Sequence, residues 1–155
     1  MFVSLISLSS CFGLRSTSEG RRADERIEDI VSAIENKDKE ALKSLFSKIA
    51  IEEAENFDSD ADYLFELIQG NIESWERDGW SSGGRNNHGK RTMMIRYVFD
   101  LVTDEDVYRF FVIDYNEDTI DPDNEGVYML ELIEFTDRSD WASWQERMRA
   151  GIYIH

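Results

Sequence analysis

Two aspartates, Asp100 and Asp114, sit inside otherwise apolar stretches, FDLV and FVIDY, with Tyr97, Tyr108 and Tyr128 spaced through the same region. A carboxyl group among apolar side chains is harder to ionise, which moves its pKa towards neutrality and suits it to shuttling a proton. A phenol beside it can donate a hydrogen bond. The same spacing arises when in-strand acids lie on a solvated face and alternating tyrosines pack half-buried, and this plainer reading is preferred. Trp80, beside a glycine-rich stretch, poses a similar choice between core packing and an anchor for a partner.

Other chemistry is thinly represented. His88 lies in the glycine-rich stretch and His155 at the carboxyl end, and neither has a neighbour with metal-ligand spacing, so no metal and no cofactor is expected. Asp121-Pro122-Asp123-Asn124-Glu125-Gly126 has the oxygen-rich start of a calcium loop. The twelfth position from Asp121 is Leu132, however, where such a loop needs Glu, so the segment reads as a polar turn. Neither a phosphate-binding glycine loop nor a nucleophile elbow is found.

The one cysteine, Cys11, follows Leu8-Ser9-Ser10, and the ten residues before it carry no charge. That order fits a lipobox: an aliphatic residue, two small residues and a cysteine whose thiol is lipidated before cleavage ahead of it. Residues 1–10 are therefore expected to be a signal peptide. It lacks a leading Lys or Arg, as though its amino end lay upstream of Met1. Residues 11–22 are expected to be the lipidated cysteine and a polar tether, and 23–155 the folded domain. Each buried acyl methylene contributes about 0.8 kcal/mol, so a diacyl group would hold the chain at a membrane surface, outside the cytoplasm. A single thiol also excludes a disulfide within the chain.

The chain has 155 residues, of which 41% are hydrophobic, enough for one domain with a proper core. Its 33 acidic and 17 basic residues give a net charge of −16. Such a field repels nucleic acid phosphates and anionic headgroups, so nucleic acid is not expected as a partner.

The elements that would position these residues follow from periodicity. Ala23, Ile27, Ile30, Val31 and Ile34 mark one helical stripe. Leu42, Leu45, Phe46 and Ile49, behind an Asp38 cap, mark a second. A third helix is expected from Ser59-Asp60-Ala61-Asp62 through Leu64, Phe65, Ile68, Ile72 and Trp75, with Gly70 inside it. Gly79 to Gly89 reads as a loop. Alternation then predicts strands over 93–101, 107–115 and 127–135, and Trp141, Trp144 and Met148 predict a short last helix ending at Gly151. Helices before an antiparallel meander predict an α+β fold, with the helices packed on one face of a curved sheet.

The order of "IEDIVSAIENKDKEALKSLFS" (27–47), "LFELIQGNIESW" (64–75), "YRFFVIDYN" (108–116) and "DPDNEGVYMLELIE" (121–134) resembles the bacterial lipoproteins grouped as domain of unknown function 5104. The resemblance covers roughly Ala23 to the end and rests on helix and strand patterns. It implies a nuclear transport factor 2-like, or cystatin-like, cone open at one end, and a lipoprotein address. It implies no reaction, and it transfers no catalytic residue.

Three functions fit these readings. The leading one is a surface-anchored binding or accessory domain whose cone accepts a small molecule, a peptide or a wall fragment, with Trp80, Tyr97, Asp100, Tyr108, Asp114 and Tyr128 as candidate pocket residues. An acidic immunity or inhibitor protein that binds a basic toxin is the alternative. A cone-fold isomerase or dehydratase, using a buried aspartate, is the third.

Overall fold

The computed structural model describes residues 17–133 and 144–154. Cys11 and Trp141 lie outside the described residues, as does His155. Helix α1 (Ser18–Glu35) opens at Thr17, whose hydroxyl accepts the Gly20 N–H at 3.2 Å, so it takes in residues 18–22 of the expected tether. Its apolar stripe Ala23, Ile27, Ile30, Val31 and Ile34 is buried as the period requires.

Asp38 caps α2 (Lys39–Leu45), its carboxylate accepting the Ala41 N–H at 2.9 Å. The expected second helix divides there. Phe46 is extended and bridges to Val127, and Ser47 caps a separate α3 (Lys48–Glu53) through the Ala50 N–H. Helix α4 (Phe57–Leu67) begins before the expected capping box and ends well before Trp75. At Gly70 the backbone enters the left-handed region (φ 84°), and Asn71 is held across the turn by both carboxylate oxygens of Asp104. Ile72 and Trp75 therefore belong to a strand. Their spacing continued the helical period only by coincidence.

Strand β1 (Ile72–Asn87) runs through the stretch expected as a loop, and turns at His88 and Gly89 (φ 53° and 84°) into β2 (Lys90–Thr103). Positive φ at both central residues gives a turn whose twist matches the flanking strands. β3 (Val107–Asp118) follows, then a 3₁₀ turn (Pro122–Asn124) and β4 (Gly126–Ile133). The last helix, α5, is only Trp144–Arg147, and Gly151, expected to end a helix, instead opens β5 (Gly151–Ile154). The sheet order is β1-β2-β3-β4-β5, antiparallel except for the parallel β4–β5 pair.

The fold is α+β. The main core lies between the helices and one face of the sheet, where Ile27, Ile30, Leu42, Leu64, Tyr97, Phe99, Phe110 and Leu130 are fully buried. Phe99 and Phe110 stack at 4.9 Å between ring centroids. Phe111, Ile113, Met129 and Ile133 form a smaller cluster on the opposite face, with Met148 against it. Among the described residues the sheet's interior is filled by side chains rather than hollow.

Candidate functional site

Helix α1 crosses the sheet and is clamped to it by two ion pairs. Asp24 accepts from Arg77 of β1 at 2.6 Å and 3.3 Å, and Arg26 Nε donates to Asp114 Oδ2 of β3 at 2.9 Å. Between α1 and β3 lies a cleft of about 270 Å³ lined by Arg22, Glu25, Arg26, Asp29, Asp114 and Asn116. The helical wall follows from spacing, since positions 22, 25, 26 and 29 fall on one polar stripe beside the buried one. Asp114 and Asn116 of β3 form the other wall, Asn116 being the extra residue where the β2–β3 register shifts.

The polar atoms here are poorly satisfied. Tyr97 Oη, Asp114 Oδ1 and Asn116 Nδ2 are each buried without a hydrogen-bond partner among the described residues. A buried polar group left unpaired costs about 1–3 kcal/mol, so these atoms favour a partner, whether water or a polar ligand. Burial raises the Asp114 carboxyl above the ordinary carboxylate range, against the opposing pull of Arg26 and Tyr97. Burial, then the Asp114 charge, push the Tyr97 phenol well above its usual value, so it stays neutral. For Arg26, burial works against the charge, but the charge and hydrogen bond of Asp114 more than restore it. The Tyr97 hydroxyl and the Asp114 carboxylate thus sit close enough to shift each other's ionisation.

Of the six candidate residues, the structure brings Tyr97 and Asp114 together. Trp80 pairs in register with Tyr97 across β1 and β2, but is 37% exposed at the sheet edge. Asp100 projects from the other face, where Arg109 grips both its oxygens at 2.6 Å and also reaches Asp78 at 3.0 Å. Tyr108 closes the end of α4, accepting the Gln69 N–H and donating to Leu67 O. Tyr128 donates to Glu53 at 2.8 Å, and burial together with that carboxylate takes its phenol up to about 12. Asp100, Tyr108 and Tyr128 therefore tie elements together away from the cleft.

Arg22, Glu25, Arg26, Asp29 and Asn116 were not among the candidates. The polar stripe on α1 was the available signal for four of them. The Asp121–Gly126 segment is a polar turn: Asp118 accepts from the Ile120 and Asp121 N–H groups and from Asn124, and Lys48 pairs with Asp123 at 2.7 Å. Among the described residues no cluster of His, Cys, Asp and Glu could hold a metal ion, and no helix is long and apolar enough to cross a membrane.

A sequence profile described as a domain of unknown function (DUF5104) matches residues 29–135, more than half of the chain. The protein belongs to the DUF5104 family. Among curated proteins, none matches it. The DUF5104 match takes in Tyr97, Asp114 and Asn116 together with Asp29, and begins just after Arg26, so the cleft straddles its boundary.

Proposed function

We propose that this DUF5104 domain is a binding module of nuclear transport factor 2-like type, carried as a lipoprotein on the outer side of a membrane through Cys11. Its ligand is a small, hydroxyl-rich molecule held in the α1–β3 cleft. The observation that supports this reading is that two unpaired buried polar atoms, an acceptor on Asp114 and a donor on Asn116, belong to residues lining one cleft, with the buried Tyr97 hydroxyl behind Asp114. A hydroxyl group can accept from Asn116 while donating to Asp114, and neighbouring hydroxyls can repeat this with Arg22 and Glu25. The cleft is lined by charge and amide, so an apolar ligand would strip water from these groups without replacing its hydrogen bonds. At about 270 Å³ it is slightly below the usual range for ligand sites, which suits a monosaccharide-sized molecule.

The proton-shuttle reading draws on the same aspartate. Asp114 is buried and its carboxyl is raised, but one oxygen is committed to Arg26 and the surrounding core is packed, which favours binding over turnover.

The test is a thermal-shift screen of monosaccharides, amino acids and dipeptides against wild type and Asn116→Ala. At least one hydroxylated ligand is expected to raise the Tm of wild type and to leave the variant unmoved. A panel that shifts neither protein, or both equally, contradicts the reading. For the address, Cys11→Ala is expected to release the protein from membranes, and unchanged retention would refute the anchor.

A further inference from the structure

Charge is not spread evenly over this chain. From Gly79 to Phe99 there is no Asp or Glu among 33 in the sequence, whereas Arg85, Lys90, Arg91 and Arg96 all fall there. With those four cations set aside, the rest carries −20 rather than −16. Structure turns this sequence run into an object: the distal half of the β1–β2 hairpin, in which every residue from Gly79 to Arg91 is exposed.

Register sorts the cations by face. Residues opposite one another across antiparallel strands share a face, so Gly79, Ser81, Gly83, Arg85 and Asn87 lie with Val98, Arg96, Met94, Thr92 and Lys90 on the side away from the helices. Exposed Arg85 and Lys90 thus stand on one side of the ribbon with half-buried Met94, Val98 and Arg96, the last donating to Ser81 at 3.1 Å. Arg91 lies on the other side and is countered by Glu117 at 3.7 Å. The nearest acids along the ribbon's own strands, Asp78 and Asp100, are engaged with Arg109. At about 3.3 Å per residue they lie roughly 33–36 Å along the strands from the turn, beyond a Debye length of about 8 Å. On β3, Glu117 and Asp118 stand opposite Met93 and Thr92, Glu117 paired with Arg91 and Asp118 occupied by the Ile120 and Asp121 N–H groups and Asn124.

We propose that this ribbon is a docking surface for a bilayer bearing anionic headgroups, with its outer face lying on the membrane and the acidic body held away from it. Charge complementarity sets the sign of the partner. Two glycines and a serine on the outer face leave Arg85 and Lys90 as the projecting side chains of a flat strip, a shape that suits a plane of headgroups. The negative body, repelled by the same headgroups, fixes which end faces the lipid.

The experiment is co-sedimentation of the full chain, carrying Cys11→Ser so that no acyl group contributes, with phosphatidylcholine vesicles that do or do not contain phosphatidylglycerol. Each basic residue near an anionic surface strengthens partition about fivefold. Arg85→Glu/Lys90→Glu is therefore expected to weaken binding to the phosphatidylglycerol vesicles at least tenfold, as should raised salt, with Tm unchanged because both side chains are exposed. Equal binding by both proteins, equal binding to neutral vesicles, or no binding to anionic vesicles would each overturn the proposal. Sedimentation of the chain alone that the same variant abolishes would overturn it too, by showing that the ribbon docks on the acidic body of a second copy.

Discussion

The body of this protein and the distal β1–β2 ribbon are parts of one continuous sheet, yet they are built on opposite terms. In the body, strands β2–β4 are apolar on the face that meets the helices, and α1 is fixed across them by Asp24–Arg77 and Arg26–Asp114. In the ribbon, β1 is mostly Gly, Ser and Asn, with Trp80 and Arg85 among them, has one neighbour only, and buries nothing beyond Asp78. Strand structure there is carried by the ladder to β2 and by a well-chosen turn rather than by side-chain burial. The difference shows that hydrogen-bonded regularity and packed stability are separable, and that the unpacked part is where charge was free to segregate.

Substitution can break this contrast. Phe99→Ala, which removes a fully buried ring stacked on Phe110, is expected to cost about 3–5 kcal/mol by chemical denaturation, whereas Ser82→Ala on the ribbon should change stability by less than about 0.5 kcal/mol. Comparable losses at both positions would show that the ribbon is packed after all.

Two glycines sharpen the same comparison. Gly126 has φ 126°, and a β-carbon there would meet Ser47 N at 2.8 Å and Leu45 O at 3.0 Å, the backbone of the α2–α3 break. At Gly79 nothing lies within 4 Å. Gly126→Ala is expected to cost about 1–3 kcal/mol and Gly79→Ala to be neutral or slightly stabilising, both by urea titration.

The smallest effect is one of pH. Burial raises the folded Asp114 carboxyl, so just above the ordinary aspartate range the folded state binds more protons than the unfolded state, and stability falls as pH rises through that window. The stability of wild type relative to Asp114→Asn is expected to decline with pH across it, when urea midpoints are compared step by step. Arg85→Gln on the ribbon should show no such trend.

Much of the body was legible because burial leaves a period. The stripe of α1, the Asp38 cap and the alternation in β2 to β4 are direct consequences of one-sided packing. β1 was not legible, since a strand that buries little has no alternation to read. β5 was missed because four residues after a short helix carry too little pattern. The α4–β1 junction misled because Ile68, Ile72 and Trp75 happen to keep helical spacing across the turn at Gly70.

The cleft was half visible. Asp114 and Tyr97 could be singled out as polar residues in apolar strands. Asp100 looked equivalent until parity was fixed: Phe99 and Leu101 are fully buried on the helix side, which turns Asp100 outward, whereas Asp114 shares the inner side with Phe110 and Val112. Arg26 reaches Asp114 across 88 positions of sequence, and no local pattern announces a partner that distant.

The account stands on the cleft between α1 and β3 being a ligand site with uncommitted polar groups. The most direct measurement is NMR of labelled protein titrated with the stabilising ligand, following the side-chain signals of Asp114 and Asn116 and the amides of α1. The expected result is saturable movement of the Asp114 carboxyl and Asn116 amide signals together with the 22–29 amides, while the ribbon amides stay still. Movement confined to other surfaces, with Asp114 and Asn116 unchanged, would contradict it.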